Sequence, residues 1–162
     1  MVGHLFNGRE VPALIRALKI TKTKQVIVGI GIDMTCVSRL EKDMKNRPAD
    51  FENVFTPDEV IYCCQSEDVK YERFAARFAA KEAFIKANAF LERTFSERDD
   101  QSDYFRPVFR EIEVVMDSRG RPEIRVHGKT QEALKKLKGI KWWVSVTHEA
   151  DLASAVVVLE KI

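Results

Sequence analysis

Phe74-Ala-Ala-Arg-Phe-Ala-Ala-Lys-Glu-Ala-Phe-Ile-Lys-Ala87 is the stretch that decides the fold of this chain. It reads as helix, with strong helix formers, no Gly, no Pro and apolar residues at helical spacing. At about 100° per residue, Phe74, Phe78, Glu82, Ile85 and Ala89 fall near one line. Glu82 is thus expected in the middle of an apolar stripe, where a Leu would be ordinary. A carboxylate facing a core is costly unless something positive compensates it. Lys81 and Lys86 are neighbours, but long ammonium side chains can swing away. A bound metal ion is the sharper answer.

Working outward, Val26-Ile-Val-Gly-Ile-Gly-Ile-Asp33 reads as a strand. Val26, Val28, Ile30 and Ile32 share one face; Ile27, Gly29, Gly31 and Asp33 share the other. Glycines on one face let a second backbone come close. Asp33 has two readings, as N-cap of the following helix or as a second misplaced carboxylate. If the long helix packs over the glycine face, Asp33 and Glu82 converge. Two carboxylates with an open shell suit Mg²⁺, which prefers hard oxygen ligands and completes its octahedron with water or phosphate. Such a site handles phosphoryl chemistry.

The other signals bound the class. At 162 residues, 45% hydrophobic and 32% charged, the chain suits one domain with a sizeable core. A net charge of +2 gives no reason to expect nucleic acid or membrane as partner. No apolar run approaches the roughly 20 residues of a membrane span, and no signal-peptide pattern opens the chain. Cys36, Cys63 and Cys64 lack zinc spacing and read as free thiols of a reducing, cytoplasmic compartment. No Walker loop or zinc-helix motif occurs, and Ser145 and His148 point to opposite faces of one strand, against a serine-nucleophile arrangement.

Residues 1–25 read as an N-terminal extension with a basic amphipathic segment, either packed on the domain, partner-binding or a targeting remnant; residues 26–162 form the domain. Thr35 to Asn46 reads as a helix with a basic side of Arg39, Lys42 and Lys45, either solvated or a landing strip for an acidic partner. Thr56-Pro57-Asp-Glu59 is a capping box with Pro in the first turn. The long helix runs from Tyr71 to about Arg93, and a polar loop covers 96–103. Val108–Met116 and Pro122–Val126 form a hairpin around Asp117–Gly120. Gly128–Lys138 is an amphipathic helix, and two further strands lie at 142–148 and 153–159. Mixed elements without regular alternation imply α+β.

Five motifs occur in order: Gly29-Ile-Gly-Ile-Asp33, Phe55-Thr-Pro-Asp-Glu59, Arg77-Phe-Ala-Ala-Lys-Glu-Ala-Phe84, Gly120-Arg-Pro122 and Val144-Ser-Val-Thr-His148. Together, over Val26 to the C-terminus, they resemble the holo-[acyl-carrier-protein] synthases, small 4′-phosphopantetheinyl transferases. The resemblance implies Mg²⁺-dependent transfer of 4′-phosphopantetheine from coenzyme A to a serine of apo acyl carrier protein, releasing adenosine 3′,5′-bisphosphate. It implies service to fatty acid biosynthesis, a homotrimer with active sites between subunits, and a long helix lying on an antiparallel sheet. By matched motif, Asp33 and Glu82 would bind the metal. Lys81 would assist removal of the serine proton or contact phosphate, and Lys86 would contact phosphates. His148 would line the coenzyme pocket or else be an ordinary edge histidine. Arg39, Lys42 and Lys45 would meet the acidic carrier protein.

Three departures stand out. The family's Gly-rich segment after the long helix is replaced by Asn88-Ala-Phe-Leu-Glu-Arg93, so coenzyme contacts would shift to Arg93 or the following loop. Residues 1–25 precede the family's usual start, and Asp43 dilutes the basic helix. The first departure also motivates an alternative, a carrier-protein-binding module of the same fold with little transfer activity.

Overall fold

The computed structural model describes residues 25–96 and 108–162, without the side chains of 90–96. Residues 1–24 of the expected extension, 97–103 of the expected polar loop and the Arg93 side chain lie outside what is described.

The architecture is α+β, a long helix laid on an antiparallel sheet. Strand β1 (Val26–Cys36) leads into helix α1 (Val37–Asn46), and a short helix α2 (Pro57–Cys63) precedes the long helix α3 (Lys70–Ser96). Strands β2 (Ile112–Met116) and β3 (Pro122–Val126) form a hairpin, followed by helix α4 (Gly128–Lys136) and strands β4 (Ile140–Glu149) and β5 (Leu152–Lys161). The main sheet has the order β1-β5-β4, antiparallel throughout. The indole of Trp142 donates to the Ile124 carbonyl at 2.7 Å and joins the hairpin to β4.

Local chemistry accounts for the boundaries. The Thr56–Glu59 capping box is formed, with Pro57 at the first helical position. Helix α4 ends at Lys136, two residues before the expected Lys138, and Lys138 at φ 33° and Gly139 at φ 77° turn the chain through left-handed backbone that favours glycine. Two further boundaries differ from expectation. Thr35 is still strand, and α1 is opened from outside by Asp151: its carboxylate accepts the Ser38 N–H at 2.7 Å and its carbonyl the Val37 N–H at 2.9 Å. Asp33 is therefore not the N-cap. Val108–Glu111 is not strand; Phe109–Glu111 is a 3₁₀ turn before β2.

The expected stripe on α3 is also corrected. The residues buried against the sheet are Ala79, Ala83 and Ala87, with Phe84 beside them. Glu82 is half-buried at the edge of that face and Ala89 is exposed. The close contact with β1 selects small side chains, so the seam there is alanine, while Phe74 is buried as expected in a second cluster with Val37, Leu40, Phe55 and Ala153. A Cβ on Gly31 would lie 1.9 Å from the Ala83 carbonyl oxygen, and one on Gly29 2.3 Å from that of Ala87. These two glycines let the helix backbone rest on the strand backbone.

Candidate active site

Asp33 follows Gly31 by two residues and shares its face, so the helix that lies on Gly31 also lies beside Asp33. Glu82 immediately precedes Ala83, the residue in contact with Gly31. The two carboxylates consequently converge, as the glycine face implied. Burial pushes the Glu82 carboxyl above its ordinary range, the Asp33 charge pushes it further, and Lys86 pulls it partly back. Lys86 Nζ is 2.7 Å from Asp33 Oδ1 and donates to the Ile32 carbonyl at 3.3 Å. Thr35 donates to the other Asp33 oxygen at 3.3 Å.

Two carboxylates close enough for the charge of one to act on the other, with one ammonium partly neutralising them, form a site that favours added positive charge. They fit Mg²⁺, which needs only one or two protein carboxylates when phosphate supplies other ligands. Among the described residues no group of three or more His, Cys, Asp or Glu gathers as a metal cage. A pair that leaves most of the coordination shell open is what a phosphate-bound ion requires.

A cavity of about 380 Å³ lies on the other side of α3. Tyr62, Arg73, Arg77, Met116, Pro122 and His148 are among its lining. Both guanidinium groups stack on Tyr62, Arg77 at 4.2 Å and Arg73 at 4.8 Å from the ring centre. Arg73 donates to the Tyr62 carbonyl and Arg77 to the Arg73 carbonyl. Arg77 is 4% exposed and its Nε has no partner among the described residues. A buried guanidinium with an unused donor and, among the described residues, no carboxylate paired with it is suited to an anionic ligand. His148, exposed on the rim, is 3.8 Å from Glu72. Sequence reasoning expected His148 either in a coenzyme pocket or as an ordinary edge histidine, and did not single out Arg73 and Arg77; an Arg inside an alanine-rich seam was the available signal.

Within one chain the acidic pair and the cavity do not meet. Asp33 is on edge strand β1, His148 on the opposite edge strand β4, and α3 crosses the same face between them.

Lys81 is not where the sequence expectation put it. It is fully buried, with Nζ 2.6 Å from Glu59 Oε2 and donating to the carbonyls of Val54 at 2.6 Å and Phe109 at 3.0 Å. Burial pushes its ammonium below the ordinary lysine value, against the pull of Glu59. It touches neither Asp33 nor the solvent, so its position supports neither a base nor a phosphate contact. Helix periodicity puts residue 81 about 100° from residue 82, enough to turn one inward and the other to the edge.

The family model described as ACPS, 4′-phosphopantetheinyl transferase superfamily, matches residues 29–157. A holo-[acyl-carrier-protein] synthase of Geobacter metallireducens is 35% identical over 138 residues, covering 85% of this chain and 100% of the relative. One of Mycolicibacterium paratuberculosis is 36% identical over 137 residues, covering 83% and 97%. The chain belongs to the 4′-phosphopantetheinyl transferase superfamily. Among solved structures, an acyl carrier protein synthase of Mycobacterium tuberculosis aligns with TM-score 0.62 and 34% identity, covering 85% of this chain and all of that one. An ACPS–CoA complex of Chronobacterium ammoniagenes aligns with TM-score 0.69 and 28% identity, over 83% and 97%.

In this 4′-phosphopantetheinyl transferase family member, the basic residues of α1 do not act alike. Lys45 is paired with Glu41 at 2.5 Å, and Arg47 with Asp43 at 2.9 Å. Arg39 and Lys42 are both exposed. Of the three basic residues expected on this strip, Lys45 is thus compensated within its own helix, at the i,i+4 spacing that favours such pairs.

Proposed function

We propose that this protein is a Mg²⁺-dependent holo-[acyl-carrier-protein] synthase. It moves 4′-phosphopantetheine from coenzyme A to a serine of an apo acyl carrier protein. The observation that carries the reading is the meeting of Asp33 and Glu82 across the Gly31–Ala83 contact. In a family whose members transfer a phosphopantetheine, that pair is the natural seat of the ion. Asp33 and Glu82 would hold Mg²⁺, which supplies positive charge to the phosphate oxygens of the donor where charge accumulates during transfer.

The rest of the chemistry falls to the chain's own residues. The serine hydroxyl attacks the β-phosphorus of coenzyme A, the bond to the bridging oxygen breaks, and adenosine 3′,5′-bisphosphate leaves with the electron pair. Lys86, half exposed and held at Asp33, can turn from the carboxylate to a phosphate oxygen. Arg73, Arg77 and His148 offer donors to the phosphates of the nucleotide end, and Tyr62 an aromatic wall. The serine proton goes to a base other than Lys81, given where that ammonium lies.

A homotrimer with sites between subunits fits this arrangement. The sheet face away from α3 bears rows Ile32–Val156–Ser145 and Ile30–Val158–Trp143, with Ile30, Ile32, Met34 and Trp143 each more than half exposed. An apolar face of that kind in water marks an interface. A neighbouring copy would also bring a second chain's cavity toward the acidic pair, which one chain keeps apart. Arg39 and Lys42 of α1 would steer the acidic carrier. The pathway would be fatty acid biosynthesis, in the cytoplasm.

The direct test is mass spectrometry of an apo carrier incubated with the protein, coenzyme A and Mg²⁺. The expected result is one added phosphopantetheine, abolished by a chelator. A carrier bound but unmodified, with any cognate carrier, defeats the reading and leaves a binding module.

A further inference from the structure

The buried charges around Lys81 form one network that spans three elements. Glu59 on α2 accepts the Thr56 N–H at 2.8 Å through Oε2 and the Val114 N–H of β2 at 2.8 Å through Oε1. Its Oε2 is also 2.6 Å from Lys81 Nζ on α3. Thr56 donates its hydroxyl to Glu113 at 3.0 Å, and Glu113 in turn meets His127 at 3.0 Å. Lys81 and Glu59 side chains are 0% and 1% exposed.

Two consequences follow from counting donors and acceptors. A lysine ammonium has three protons, and Lys81 has three acceptors: Glu59, the Val54 carbonyl and the Phe109 carbonyl. None is left for a substrate. The pair also lies directly behind the arginine-bearing cavity. Tyr62 is three residues after Glu59 on α2, Arg77 is one turn before Lys81 on α3, and Val114 is the strand residue that Glu59 holds; all three line the cavity.

We propose that Lys81 and Glu59 form a positioning strut that sets the spacing of the three walls of the nucleotide cavity, and that Lys81 takes no part in proton transfer. This rests on the transferase reading for the identity of the ligand. Removing one partner strands a buried charge, whereas removing both does not. The strut therefore predicts strong coupling between positions 59 and 81, and a defect in coenzyme binding in place of a defect in chemistry.

The test is a cycle of Lys81→Met, Glu59→Gln and the double variant, read by urea denaturation and by steady-state transfer with varied coenzyme A. Each single variant should lower the urea midpoint, and the double variant should recover more than half of the larger loss. The double variant should raise KM for coenzyme A about tenfold, keep kcat within about threefold, and keep the pH–rate profile unchanged. Loss of a general base would instead cut kcat by about 10²–10⁴ at any coenzyme concentration. That outcome in a folded double variant, or a profile that loses a limb, overturns the inference. Midpoint losses that simply add, or a double variant less stable than both singles, overturn the strut. If wild type modifies no carrier, the functional reading fails, and the denaturation cycle still decides the strut.

Discussion

Substituting Gly31 by Ala puts one methyl group into the tightest contact of the fold. The new Cβ would lie 1.9 Å from the Ala83 carbonyl oxygen and 2.6 Å from the Ala87 amide nitrogen. Cβ atoms keep at least 3.0 Å from such neighbours, so helix α3 must withdraw from β1 by 3.0 less 1.9, or 1.1 Å. Both obstacles are backbone, and neither can rotate away. Overpacking of this kind costs about 1–3 kcal/mol, and a rigid helix on a paired strand favours the upper end. For a chain of 162 residues, about 3 kcal/mol lowers the melting temperature by roughly 6–12 °C. The same withdrawal carries Glu82 away from Asp33, and a misplacement of about 1 Å can cost roughly a hundredfold in rate. The assay is thermal unfolding with and without Mg²⁺, followed by carrier modification. Gly120→Ala is the control, since nothing lies within 4 Å of that site and only its φ of 75° opposes the change. A Gly31→Ala protein melting within 2 °C of wild type and retaining its Mg²⁺ response would refute the close-contact account of how the acidic pair is assembled.

Glu82→Gln should separate stability from activity. Because the folded-state pKa of Glu82 is raised, folding favours its protonated form; that contribution is complete at low pH and lost as pH rises through the raised value. In EDTA at pH 7 the variant should therefore melt above wild type, at pH 4 the difference should shrink, and transfer should be lost; an unchanged turnover would remove Glu82 from the site. Arg77→Met should weaken coenzyme A binding by roughly tenfold or more, from the loss of about 1.5–3 kcal/mol of charged hydrogen bonding, as read by calorimetry; unchanged affinity would assign the unpartnered Nε to another purpose. Ile32→Glu, on the exposed apolar face, should leave a folded monomer by sedimentation with little transfer activity, and an unchanged oligomer would exclude that face from the subunit contact.

Helix α2, the β2–β3 hairpin and the two last strands were legible because their signals are local. Thr56, Pro57 and Glu59 satisfy one helix end among themselves, and no distant residue can alter that geometry much. The glycine face of β1 announced that another backbone would come close, and the helix did lie there. The burial order around α3 was not legible. Helical spacing suggested the line of Phe74, Phe78, Glu82, Ile85 and Ala89 as the seam, while the contact distance to Gly31 demanded alanine. Lys81 was misplaced because a lysine beside a candidate ligand looks functional, and its partner Glu59 is 22 positions earlier and already occupied, by sequence, in a capping box.

By itself the sequence determined that a second backbone would lie on Gly29 and Gly31, which turns and caps form, and which family the chain resembles. Those properties depend on residue type and short spacing. Only the tertiary structure decided which of two adjacent residues, Lys81 or Glu82, faces inward. It alone separated Asp33 and His148 onto opposite edges of one sheet and left Arg77 buried with a donor to spare. Each of these depends on how a helix is rolled against a sheet, and that roll is fixed by backbone contact between segments some fifty residues apart, such as Gly31 and Ala83.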